Sequence, residues 1–198
     1  VRIPGKQFVL AMLFASALSP VLAQTASPQA TGVDPAVLAK ANAGDATAQV
    51  LVGDSVAAGN RQARTAKQLA EDYKQAAEWY RKAAEKGDIG GETRLAALYR
   101  DGRGLARDMA QAAEWYHKAA EQGDATAQAT LGVLYSMGQG VPHSDVEAYY
   151  WLDLAAAAKG PNQEKYAANR QMIGTHITAD ELADVEERAA KWLAAHPR

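Results

Sequence analysis

The sequence predicts an all-α protein, an α-solenoid of stacked antiparallel helix pairs closed by a C-terminal capping helix. The first observation behind this is a repeat: QAAEWYRKAAEKGD, from Gln75 to Asp88, returns 36 residues later as QAAEWYHKAAEQGD, from Gln111 to Asp124. The second is its spacing. The same step carries Ala76, Trp79, Tyr80, Ala83 and Ala84 to Ala112, Trp115, Tyr116, Ala119 and Ala120, and then to Ala148, Trp151, Leu152, Ala155 and Ala156. Within each set the intervals are i, i+3, i+4, i+7 and i+8, the buried stripe of an amphipathic helix. The third is the closing Gly-Asp pair, in which the glycine ends one helix and the aspartate caps the next. A fixed period of this length describes an array of stacked units and directs the functional reading towards binding.

Residues 1–23 read as a secretory signal peptide. Arg2 and Lys6 precede the apolar run Phe8 to Leu18, and Val21-Leu22-Ala23 supplies a small-residue cleavage site. That run is shorter than the roughly 18 residues a membrane-spanning helix needs, so no membrane insertion is expected after cleavage. Val1 in place of methionine is read as an alternative start codon of a bacterial gene. The expected location is periplasmic or secreted. Residues 24–33, small and polar with one proline, are read as a disordered linker.

Asp34-Pro35 opens a short N-terminal capping helix over 34–44, ended by Gly44-Asp45. Three repeats follow over 45–160, with boundaries 45–87, 88–123 and 124–160. Each begins with a helix of a second type, at 45–58, 88–101 and 124–137, whose core columns are Ala48, Gly91 and Ala127; Val52, Leu95 and Leu131; Gly53, Ala96 and Gly132; and Val56, Tyr99 and Tyr135. Small residues in two of these columns mark close helix approach. Gly59, Gly102 and Gly138 end the three helices. The Gly90-Gly91 pair costs helix propensity, about 1 kcal/mol each, and is expected to loosen the start of the second unit.

The first unit carries seven more residues than the others between its two helices, within Asn60 to Glu71. Arg61, Arg64 and Lys67 lie in or beside this insertion. It is read as two extra turns prefixed to the following helix, with a binding appendage as the alternative. Residues 161–198 form the C-terminal helical cap: a helix after Gly160-Pro161-Asn162, then one begun by the capping box Thr178 and Glu181. The last helix has Leu182, Val185, Ala189, Trp192 and Leu193 on one face and Glu181, Asp184, Glu187, Arg188 and Lys191 on the other.

Composition narrows the chemistry. There is no cysteine, so disulfides, thiolate metal sites and thiol catalysis are excluded together. The formal net charge is −2, with both signs interspersed, which suits neither nucleic acid nor an anionic membrane surface. His117, His143, His176 and His196 lack metal-ligand spacing, and no phosphate loop occurs. Glu78 and Glu114 stand four residues before Lys82 and Lys118 and read as solvated ion pairs rather than catalytic carboxylates. Trp79, Trp115 and Trp151 read as core. No catalytic, cofactor-binding or metal-binding residue is assigned.

Ala127-Gln128-x-x-Leu131-Gly132-x-x-Tyr135-x-x-Gly138-x-Gly140-Val141 and Ala112-x-x-Trp115-Tyr116-x-x-Ala119-Ala120-x-x-Gly123-Asp124 resemble the motifs of the Sel-one-like repeat, a longer cousin of the tetratricopeptide repeat. The resemblance implies a non-catalytic scaffold or adaptor of the bacterial cell envelope that binds a protein or peptide. A periplasmic regulator of a membrane sensor is a second reading, and a weak penicillin-binding or β-lactam-hydrolysing enzyme a third, although no Ser-x-x-Lys motif is present. By the same analogy the concave face presents Thr47, Val50, Asp54 and Ala57; Thr93, Ala97 and Arg100; Thr126, Ala129, Val133 and Ser136. Asp54 and Arg100 are its expected fixed charges, with Arg61 and Arg64 at the edge. A monomer is expected.

Overall fold

The computed structural model of the chain describes residues 32–59 and 65–197. The signal-peptide segment, nearly all of the linker, and Arg61 and Arg64 lie outside the described residues. Among the described residues, every regular element is a helix: α1 (Pro35–Asn42), α2 (Ala46–Ala58), α3 (Ala66–Ala84), α4 (Ile89–Asp101), α5 (Met109–Glu121), α6 (Ala125–Met137), α7 (Asp145–Ala157), α8 (Gln163–Gly174) and α9 (Ala179–Ala195). From α1 to α8 each helix packs against the next, so α2/α3, α4/α5 and α6/α7 form three hairpins in line, with α1 before them and α8 after.

The junction aspartates act as caps. Asp45, Asp88 and Asp124 accept the N–H groups of Ala48, Gly91 and Ala127 at 2.7, 2.9 and 2.6 Å, which satisfies donors a helix start leaves orphaned. The insertion is in part helical. α3 has 19 residues against 13 in α5 and α7. Its extra length lies at its N-terminus, where Thr65 and Gln68 form a capping box.

Alanines make the seams between helices: Ala76, Ala83, Ala112, Ala119, Ala148 and Ala155 are all at 0 % exposure. The large side chains that fill the space are Tyr80, Tyr116 and Leu152, each buried. Trp79 and Trp115, by contrast, pack against the core from its margin and are only half-buried. The stripe centres one residue further on, and the indoles at its margin are roofed by Lys82 and Lys118, whose ammonium groups lie 4.3 and 3.9 Å from the ring centroids. Only the third member of the series, Trp151, is enclosed, with the His117 and Tyr150 rings edge-on to it.

Gly91 requires a correction. A Cβ there would stand 2.7 Å from the Ala83 Cβ and 2.8 Å from the Ala84 backbone nitrogen. The glycine is therefore the condition for α4 to reach α3, not a loose point. Gly90 differs, since its nearest neighbours are the ends of the Arg94 and Asp88 side chains.

Glycine is also indispensable at the second position of each Gly-x-Gly turn. Gly104 and Gly140 have φ of 68° and 74°, and a Cβ would overlap the backbone of Tyr73-Lys74 and of Met109-Ala110 respectively. The two contacts are the same contact, one repeat apart.

The terminal helix α9 lies against α7, burying Val185 and Ala189. Part of its charged face is bonded there while remaining exposed to solvent. Arg188 donates two hydrogen bonds to the Glu147 carboxylate, at 2.7 and 2.6 Å, and stacks 3.7 Å from the Tyr150 ring centroid. The Tyr149 hydroxyl donates to Glu186 at 2.9 Å.

Candidate partner-binding groove

One series of helices, α2, α4 and α6, carries the positions expected on the concave face. The structure sorts them. Thr47 and Thr126 are exposed, while Asp54, Ala57, Ala97, Arg100, Val133 and Ser136 are half-buried. Val50 and Ala129 are buried at 7 % and 6 % exposure, and the Thr93 hydroxyl oxygen, in the same column, is enclosed without a hydrogen-bond partner. That column faces the neighbouring helix of the series: Val50 Cγ1 is 3.6 Å from where a Gly90 Cβ would stand.

A cavity of about 370 Å³ brings Arg100, Thr126, Ala129 and Val133 together with residues the sequence reading did not select. These come from α8 and its approach, Asn162, Lys165, Tyr166 and Asn169, and from the turn residue Gln139. Thus α8 forms the wall that closes the groove at its C-terminal end. Thr93, Ala97, Ser136 and Asp54 lie outside this cavity.

Asp54 is tied down. Its Oδ1 accepts from the Tyr80 hydroxyl at 2.8 Å and from Arg94 Nε at 2.6 Å. Burial, with the Asp54 bond second, pushes the Tyr80 hydroxyl well above the ordinary tyrosine value. Arg94, which the sequence reading passed over, neutralises the charge expected to orient a ligand. Arg100 donates Nε to Asp101 at 2.8 Å and lies 5.9 Å above the Tyr116 ring. Tyr116 itself is pushed up to about 12, chiefly by burial.

Two other cavities are larger, but charged side chains in their walls are already paired within the fold. The cleft of about 680 Å³ between α8 and α9 has Tyr149 and Arg170 in its wall, engaged with Glu186 and with Asp153, the latter at 2.5 Å. The crevice of about 410 Å³ beside α5 is rimmed by Glu114 and Lys118, which pair at 3.4 Å. No group of three or more potential ligand side chains among the described residues could hold a metal ion. None of their helices is long and apolar enough to cross a membrane.

In-phase helix hairpins around an alanine seam, with a groove at one helix series, define an α-solenoid repeat protein. The Sel1 repeat model matches residues 65–88, 91–124 and 125–159. A Sel1 repeat protein from Oxalobacter formigenes is similar in structure with 30 % identity and a TM-score of 0.55, over 75 % of this chain and 98 % of that one. The chain belongs to the Sel1-repeat family. A second similar structure is c5321, a protective antigen present in uropathogenic Escherichia coli strains displaying an SLR fold, at 26 % identity and a TM-score of 0.58. It is matched over 80 % of this chain, which spans 40 % of that protein's length. No curated protein matches the sequence.

Proposed function

We propose that this protein is a monomeric, non-catalytic adaptor of the bacterial cell envelope, periplasmic or secreted, which holds an extended segment of a protein partner along its concave face. The observation that carries the reading is the cavity between α6 and α8. There the repeat-variable positions Thr126, Ala129 and Val133 meet Arg100 around open space, whereas Asp54, Arg170 and Arg188 are each paired within the fold. Protein binding is the general role of Sel1 repeats. Export rests on the leader-like segment 1–23 and is in keeping with the description of the c5321 protein as a protective antigen.

The test compares capture of envelope proteins by the chain and by Thr126→Trp, a substitution at an exposed position that fills the cavity mouth. A partner held by the first and lost by the second supports the groove. Partners retained equally by both overturn it. Mass spectrometry of the native protein should find Gln24 at its N-terminus, and an uncleaved cytosolic chain would remove the envelope assignment.

A further inference from the structure

Resting on that groove reading, we infer that its C-terminal end, between α6 and α8, is a subsite for an acidic side chain, aspartate or glutamate, of the extended peptide. Arg94, Arg170 and Arg188 are each matched to a carboxylate, Asp54, Asp153 and Glu147. At the cavity the balance is different. Arg100 and Arg103 share one carboxylate, Asp101, at 2.8 and 3.5 Å, and Lys165 on the facing wall has neither a hydrogen bond nor an ion pair among the described residues. The neighbouring Glu164 lines the cleft on the other side of α8. Two cations, one of them unmatched and one with a half share of a carboxylate, thus face the same open space.

The uncharged groups point to what surrounds the carboxylate. Gln139, Asn162 and Asn169 line the cavity, and none of their amides is bonded to a described residue; Asn162 stands at the N-cap of α8 yet makes no capping bond. Each side-chain amide offers both a donor and an acceptor. An extended peptide main chain presents both kinds of group along its length, so amides are suited to hold it without regard to sequence. Ala129, Val133 and Tyr166 supply an apolar floor for the side chains between. Amides for the backbone, an apolar floor and a positive end together describe an extended peptide with one acidic residue in fixed register.

The experiment selects displayed random ten-residue peptides on the full chain, then measures the enriched peptides as fluorescent probes. Enriched sequences should share Asp or Glu at one position, and its replacement by Asn or Gln should weaken binding about fivefold, the range of a partly exposed ion pair. Lys165→Glu should invert the selection towards Lys or Arg at that position, with an unchanged helical melt. Peptides that lose binding on Thr126→Trp but show no acidic preference and ignore Lys165→Glu would overturn the acidic subsite while leaving the groove. Peptides indifferent to Thr126→Trp would overturn the groove reading itself.

Discussion

Glu92 occupies a seat that its counterparts fill with glutamine. Gln49 and Gln128 are buried, and each donates Nε2 to a carbonyl eight residues back, Ala41 and Ala120, at 3.0 Å. A carboxylate cannot donate. Glu92, at 3 % exposure, instead accepts from Gln122 at 2.7 Å, and the corresponding carbonyl of Ala84 receives the Gly87 N–H without a side-chain donor. Desolvation raises the Glu92 pKa against the opposing pull of Lys118 and the Gln122 bond. Because the folded value exceeds the unfolded one, the destabilisation is fully present at neutral pH. It is relieved as pH falls through the raised folded value and stops changing below the unfolded value of about 4.3. Glu92→Gln should therefore stabilise the protein at pH 7 by about 1 kcal/mol, the worth of one buried hydrogen bond. The gain should shrink towards pH 4, as read by thermal melts across that range. An equal gain at both ends would show that the charge is not the cause. The Gln, Glu, Gln column stands in plain view in the sequence, but a search for apolar periodicity passes over polar residues on the buried face. Lys165 and Asn169 were hidden for another reason: no repeat frames them, and only the packing of α8 across the groove gives them a place.

At the level of helices, the caps, ends and alanine seams were legible because each depends on residues near in sequence. Asp88 before α4 and Gly102 after it need no knowledge of the rest of the fold. What local pattern could not give was the depth of each position. Trp79 and Tyr80 are neighbours on the stripe, and only the packing of α2, where the Tyr80 ring lies over Gly53 and its hydroxyl reaches Asp54, decides that the tyrosine goes in and the tryptophan stays at the margin. The same holds for Gly91, whose meaning lies in the Ala83 methyl across the seam. Gly91→Ala should destabilise by roughly 1 to 3 kcal/mol through overpacking, while Gly90→Ala should change stability by less than about 1 kcal/mol. Equal melts for the two variants would contradict the seam geometry. Ala119→Leu and Ala83→Leu should each lose a similar 1 to 3 kcal/mol, because both methyls are at 0 % exposure. For the terminal helix, Arg188→Ala removes both bonds to Glu147 and the stack on Tyr150. Amide exchange along α9 should then accelerate while α4 to α6 keep their protection, and uniform acceleration would mean that the cap is not an independent layer.

Over the whole molecule, the repeat makes the fold nearly one-dimensional, each unit meeting only the next. Excising residues 88–123 joins Gly87 to Asp124 and leaves every junction in its own phase. The shortened chain should remain helical and melt cooperatively at lower temperature, as circular dichroism would record. A molten product would show that the units are not interchangeable at their seams. The architecture was open to reading from sequence because one step of 36 residues explains so many positions at once. The groove was not, since its far wall comes from the first helix beyond the repeats.

The contact of Gly104 with the Tyr73-Lys74 backbone, and of Gly140 with that of Met109-Ala110, sets main chain directly on main chain from one unit to the next. Such a joint works like a machined gauge block. It fixes the rise between units with parts that carry no side chain, so amino-acid drift along the groove leaves the spacing untouched. A lineage of these proteins is then free to rewrite what it grips, residue by residue, on a ruler whose divisions do not move.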